Sequence, residues 1–145
     1  MLALTLWRPW PWAFTHADKR VENRTWAPPR KLIGECIALH AGKHFDRDGL
    51  NHMLDGSFGD AARAVPRGDS EHQSGVIVAV ARLEDVYDVG YVRNPSPWEF
   101  GPVVWSVPDV IALPHPVACK GAQGLWRLPP DVDTAVRAQV SVWLK

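Results

Sequence analysis

Residues 75–86 read GVIVAVARLEDV, the clearest strand signal in the chain. The first half of this stretch is β-branched or small and carries no charge before Arg82, the pattern of a strand buried in a sheet. Its apolar run, Val76 to Ala81, is the longest in the sequence and falls far short of the roughly 20 residues a membrane helix requires. Shorter strands are expected on both sides: residues 2–7 (LALTLW), 21–26 and 33–41 (IGECIALHA) before it, and 103–107, 110–113 and 125–128 after it. A Gly-Lys turn at 42–43 closes the strand at 33–41, Pro108-Asp109 joins two of the later ones, and 121–124 forms a turn. Helical signals are few. Trp10 to Ala17 follows Pro9 and contains Pro11, as a helix start permits. Residues 45–65 suggest one or two short helices interrupted near Gly56-Ser57. Pro129-Pro130-Asp131 opens a terminal helix with Val132, Ala135, Val136, Val140 and Trp143 on one face. Residues 66–74 form a polar loop, and 88–102, with three prolines and two glycines, an irregular segment. Six or seven strands without helical crossovers predict a mainly β, α+β fold: a small β-barrel with flanking helices and a C-terminal helix. No repeat or linker interrupts it, so residues 1–145 are read as a single domain.

Composition agrees. The chain has 145 residues, 46% hydrophobic and 22% charged, which excludes a disordered tail or a coiled coil. Sixteen basic residues balance sixteen acidic ones, against a protein that coats nucleic acid by bulk charge. Two cysteines, Cys36 and Cys119, form no CxxC pair and are too few for a disulfide scaffold, so a reducing, cytoplasmic setting is expected. Arg8 and Pro9 interrupt the apolar start before it could serve as a signal peptide, and no membrane association is expected. Two features are unusual. Eight tryptophans occur, four of them between positions 7 and 26. From Arg8 to Arg47, eight basic residues stand against four acidic ones, so a neutral protein can still present a positive cleft.

The segment that carries chemistry is 16–26, HADKRVENRTW. On a strand over 20–26, Arg20, Glu22, Arg24 and Trp26 share one face, and Val21, Asn23 and Thr25 the other. Two arginines flanking a glutamate beside an indole make a charged, aromatic floor whose guanidinium groups can engage phosphate or a base edge. Lys19 reaches the same floor from the preceding turn. The plainer alternative is an edge strand with a solvated charge pattern and a structural Arg–Glu pair.

The blocks LTLWRPWPWAF, KRVENRTW, IALHAGKHFD, GPVVW and PVACKGAQGLWRLP, in this order, resemble the ASCH (activating-signal-cointegrator homology) domain of the PUA-like group. The family signature, Gly-x-Lys-x-x-Glu-x-Arg after a first helix, is met by Lys19, Glu22 and Arg24, with Ala17 in place of the glycine. RPWPW is similar to the family's Gln-Pro-Trp-Ala segment, with Arg8 replacing the glutamine. The likeness runs from about residue 3 to 128 and leaves 45–74 and 88–98 uncovered. It implies a small barrel with a cleft beside the first helix, lined by the Lys-Glu-Arg motif, in a family of RNA- or DNA-binding modules. Some bacterial members are amidohydrolases that remove an acyl group from N4-acetylcytidine, and others are nucleases. Where the amidohydrolases carry a nucleophilic threonine three residues after the lysine, this chain has Glu22, which offers no hydroxyl to activate. A threonine-free hydrolysis would need Glu22 as general base and Lys19 to polarise a carbonyl oxygen.

The resulting expectation is a nucleic-acid-binding domain for RNA or single-stranded DNA, or for a modified nucleoside. Arg8, Lys19, Arg20, Arg24 and Lys43 would contact phosphate or a base edge, Glu22 would order Arg24, and Trp10 or Trp26 would stack a base. Glu99 is a further carboxylate expected at the cleft. Alternatives are an amidohydrolase acting on an N4-acylated cytidine nucleoside, with Lys19 and Glu22 catalytic, or a nuclease, and a protein-interaction adaptor. Trp105 and Trp126 read as core. Glu84 and Asp85 form a further acid pair, and Lys120-Gly121 with Gln123-Gly124 could present amides to a phosphate. His40, His44 and Asp46 have a spacing metal ligands sometimes use, but Gly42-Lys43 intervenes with a positive charge, so no metal is expected. No cofactor motif occurs.

Overall fold

A computed structural model describes residues 1–144. The strands are β1 (Leu2–Arg8), β2 (Val21–Arg24), β3 (Cys36–Phe45), β4 (Val76–Arg82), β5 (Asp85–Asp88), β6 (Val103–Ser106), β7 (Asp109–Ala118) and β8 (Leu125–Arg127). The helices are α1 (Trp10–His16), α2 (Arg47–Leu54) and α3 (Pro130–Leu144), with 3-10 turns at Arg30–Leu32, Ala61–Ala64 and Asp69–Glu71. Among the described residues no helix is long and apolar enough to cross a membrane.

The strands form two sheets, one of five in the order β7-β4-β3-β1-β8 and one of three in the order β2-β6-β5. Only β1 and β3 run parallel; the other pairs are antiparallel. The expected α+β fold with a C-terminal helix is present, but the barrel is not closed by strand pairing. The long strand read at 75–86 bends at Leu83-Glu84, so that its halves serve different sheets as β4 and β5. Val107-Pro108 makes the same corner between β6 and β7, as where strands switch between crossed sheets. At these corners Glu84 N bonds Ser106 O and Val107 N bonds Arg20 O, both at 2.9 Å. At its other margin the large sheet stops short. β8 covers β1 only at Leu2–Leu4, and the next carbonyl, that of Thr5, accepts from the Arg24 guanidinium at 3.1 Å.

Two boundaries differ from the sequence expectation for local reasons. β3 runs through Gly42-Lys43, where a turn was expected. A Cβ at Gly42 would lie 2.8 Å from Thr5 Cγ2 and 3.3 Å from Leu6 O, so the glycine allows β1 to approach rather than the chain to reverse. β7 extends to Ala118 despite Pro114 and Pro116, because it is an edge strand whose pairing with β4 skips from Ala112 to Val117, where missing donors cost no ladder bond.

Three packed clusters follow. Between the sheets lie Leu4, Leu6, Phe14, Ile37, Leu39, Leu83 and Trp105. Behind the large sheet, Ala38, Ile77, Val80 and Leu113 meet Val132, Val136 and Val140 of α3, with Trp143 packed against them; Ala135, expected on the same face, is exposed. Under α1 and α2, Ala13, Leu50, Met53, Trp98 and Val104 form the third. Val78 and Ala79 both face the first cluster because pairing shifts register there, as a bulge requires.

Candidate nucleic-acid interface

α1 ends at His16, and Asp18 then takes the left-handed conformation (φ 54°), which turns Lys19 inward. The Arg20 guanidinium holds this corner by donating to the carbonyls of Phe14 and Lys19, each at 2.8 Å. Lys19 is 1% exposed. Its Nζ lies 4.2 Å from the Phe14 ring centroid and 5.5 Å from that of Trp10, and donates to Val21 O at 2.5 Å and Glu22 Oε1 at 3.2 Å. Burial pulls the Lys19 pKa below 10.5, and the Glu22 carboxylate opposes that shift. Glu22 Oε2 lies 2.9 Å from Arg24 Nε, an ion pair without an aligned hydrogen bond. The sequence therefore brings Lys19, Glu22 and Arg24 together at one point.

That point lines a cleft of about 340 Å³, with Trp7, Trp10, Trp26, Phe100 and Pro102 among its walls. Asp46 fixes Trp10. As N-cap of α2 it accepts from Gly49 N through Oδ1 and from Trp10 Nε1 through Oδ2, both at 2.9 Å. Trp26 packs edge-on against Trp105 (5.0 Å, 86°) and accepts from the Trp105 indole N–H. Trp7 and Phe100 are 55% and 54% exposed and stand at the rim of the cleft. β2 ends at Arg24, so strict alternation does not continue, and Thr25 joins the lining beside Trp26.

Among solved structures, ASCH from Zymomonas mobilis matches over 94% of this chain and 93% of that one, with a TM-score of 0.54 and 14% identity. The chain has the ASCH fold. No family model and no curated protein matches its sequence.

Within this ASCH fold the remaining candidates scatter. Arg8 is buried away from the cleft. Its guanidinium donates to the carbonyls of Gly42 (2.9 Å), Lys43 (2.6 Å), Asp69 (3.1 Å) and His72 (3.3 Å) and pairs with the Asp69 carboxylate. Arg20 lies behind the floor, at the corner it caps. Lys43 is exposed beyond the cleft lining. Glu99 is tied to Tyr87, whose hydroxyl donates to Oε1 at 2.6 Å; burial first, and Glu99 second, push the Tyr87 pKa up. Glu84 and Asp85 are exposed. His40, His44 and Asp46 part company: His40 is buried, His44 lies tilted against Trp7 with ring centroids 4.0 Å apart, and Asp46 caps α2. Among the described residues no cluster of three metal-ligating side chains occurs. Gly121 is packed against His40 and Thr5 rather than open to an anion.

Sequence reading passed over Phe100 and the roles of Asn23 and Asp46. Phe100 and Asn23 meet across more than 70 residues, which no local pattern reveals. Asp46 gave a local signal, an Asp three residues before Gly49 at a helix start.

Proposed function

We propose that the cleft binds single-stranded nucleic acid, RNA in preference to a duplex, by taking in one unpaired base. The observation that carries this reading is the convergence of Lys19, Glu22 and Arg24 on a hollow whose rim is made of the exposed rings Trp7 and Phe100. Lys19 and Arg24 are offset inside the cleft by Glu22 and Asp46. The interior is therefore suited to a polar, uncharged ring, and phosphates are left to Lys43 and the outer side of Arg24. Lys19 holds Glu22 in place, Glu22 orders Arg24, and the remaining lone pairs of Glu22 and the free Arg24 Nη1 present an acceptor and a donor side by side to a base edge. Arg20 holds the backbone corner behind the floor, Arg8 holds backbone away from the cleft, and Glu99 is engaged by the Tyr87 hydroxyl. Hydrolysis through Glu22 is less well supported, since both of its oxygens already face cations.

Titration of a labelled single-stranded RNA by fluorescence anisotropy at low salt tests the proposal. Arg24→Ala together with Phe100→Ala should weaken binding by at least about tenfold, given the worth of one stacked base, and the matching duplex should bind more weakly than the single strand. No binding by the unmodified protein at low salt, or an unchanged affinity in the double variant, overturns it.

A further inference from the structure

Asn23 lies between Glu22 and Arg24 of the motif, yet its amide turns away from them and holds a loop distant in sequence. Nδ2 donates to the carbonyl of Trp98 at 3.0 Å, and Oδ1 accepts from the amides of Phe100 and Gly101 at 2.9 and 2.8 Å. The chain then continues through Gly101 at φ 66°, a conformation open to glycine; a Cβ there would lie 2.5 Å from the Val89 Cβ. The Phe100 ring itself is little packed. It is half exposed, 6.3 Å from Trp10 and 6.4 Å from Phe58 by centroid, so its place is set by its backbone more than by its side chain.

We infer that Asn23 is the positioning residue of the cleft: it clamps residues 98–101 so that Phe100 stands as a wall above the Lys19–Glu22–Arg24 floor. The inference rests on the nucleic-acid reading for its ligand, but not for its geometry. One short strand then supplies both halves of the site, the charged floor through Glu22 and Arg24 and the aromatic wall through Asn23.

Two measurements test it. The first needs no ligand: amide hydrogen exchange at Phe100 and Gly101. Both amides should be protected in the unmodified protein, lose protection in Asn23→Ala, and keep it in Asn23→Asp, which retains the shared acceptor although its second oxygen then faces the Trp98 carbonyl. The second is titration with a labelled single-stranded RNA. Asn23→Ala should weaken binding about tenfold, the loss of one stacking wall, and Asn23→Asp by less. In a Phe100→Ala background, Asn23→Ala should add less than a twofold further loss, because the wall it positions is already gone. Amides that stay protected in Asn23→Ala overturn the inference, and so does a full, additive loss in the Phe100→Ala background. If the unmodified protein binds no RNA, the proposed function fails, while the exchange measurement still decides the role of Asn23.

Discussion

His40 shows how one side chain can tie the large sheet together away from the cleft. Its Nε2 lies 2.7 Å from Cys119 O and its Nδ1 3.2 Å from Thr5 Oγ1, which in turn accepts from the Trp126 indole N–H at 3.1 Å. The neutral ring fits this chain, with Nε2–H donating to the carbonyl and Nδ1 accepting from the threonine. Burial is the first cause that lowers its pKa below 6.5, and the bond to Cys119 O opposes it. The unfolded chain therefore takes up a proton near pH 6.5 that the folded protein refuses. Stability should fall as pH drops from 6.5 towards the lower folded-state pKa, with a slope of at most about 1.4 kcal/mol per pH unit. Urea midpoints measured on either side of pH 6.5 check this, and His40→Gln should flatten the fall. A flat wild-type profile would mean that the folded ring takes up its proton as readily as the unfolded one. At this scale the sequence was readable where partners are close. Lys19, Glu22 and Arg24 meet because they stand three and two residues apart at a turn and a strand start. Arg8 was not readable, since its partners at 42–43, 69 and 72 are brought to it by the fold.

At the scale of elements, α1 and α2 meet at Gly49. A Cβ at this position would lie 2.6 Å from Trp10 Cζ2 and 2.9 Å from Asp46 Oδ2. Glycine within a helix costs about 1 kcal/mol relative to alanine, so here α2 gives up intrinsic stability to admit the indole that walls the cleft. Gly49→Ala should therefore destabilise the protein by about 1–3 kcal/mol, as overpacking does, although alanine is the better helix former. It should also weaken RNA binding by displacing Trp10. Urea unfolding and the RNA titration measure the two effects separately, and a more stable variant would show that α2 can move away without loss. Element existence was legible from hydrophobic periodicity: β1, α1, the first half of 75–86 and the valines of α3 stand where their patterns put them, while Ala135 of that helix faces outward. The ends of β3 and β7 were not legible. Gly42 permits a close strand approach, and Pro114 and Pro116 sit in an edge strand; both facts depend on which strand lies alongside.

For the whole molecule, the strand segments could be read locally but their division into two sheets could not, because a corner such as Leu83-Glu84 looks like continuous strand until its partners are known. The charge balance was legible and carries further. Zero net charge overall, a basic stretch over residues 8–47 and a cleft whose lining charges cancel together limit how many phosphates a bound strand can touch. Arg8 and Arg20 are tied to backbone carbonyls and Lys19 is buried, which leaves Arg24 and Lys43 to meet phosphate. For about two phosphate contacts on a single strand, the logarithm of the binding constant should fall with the logarithm of salt concentration at a slope of about −1.4. A free nucleoside, which engages only the interior, should show almost no salt dependence. Titrations of the same RNA and of the nucleoside across a series of KCl concentrations give both slopes. An RNA slope near zero would remove the phosphate contacts from the proposal, whereas one steeper than about −4 would mean that the basic stretch as a whole, rather than the rim of the cleft, holds the strand.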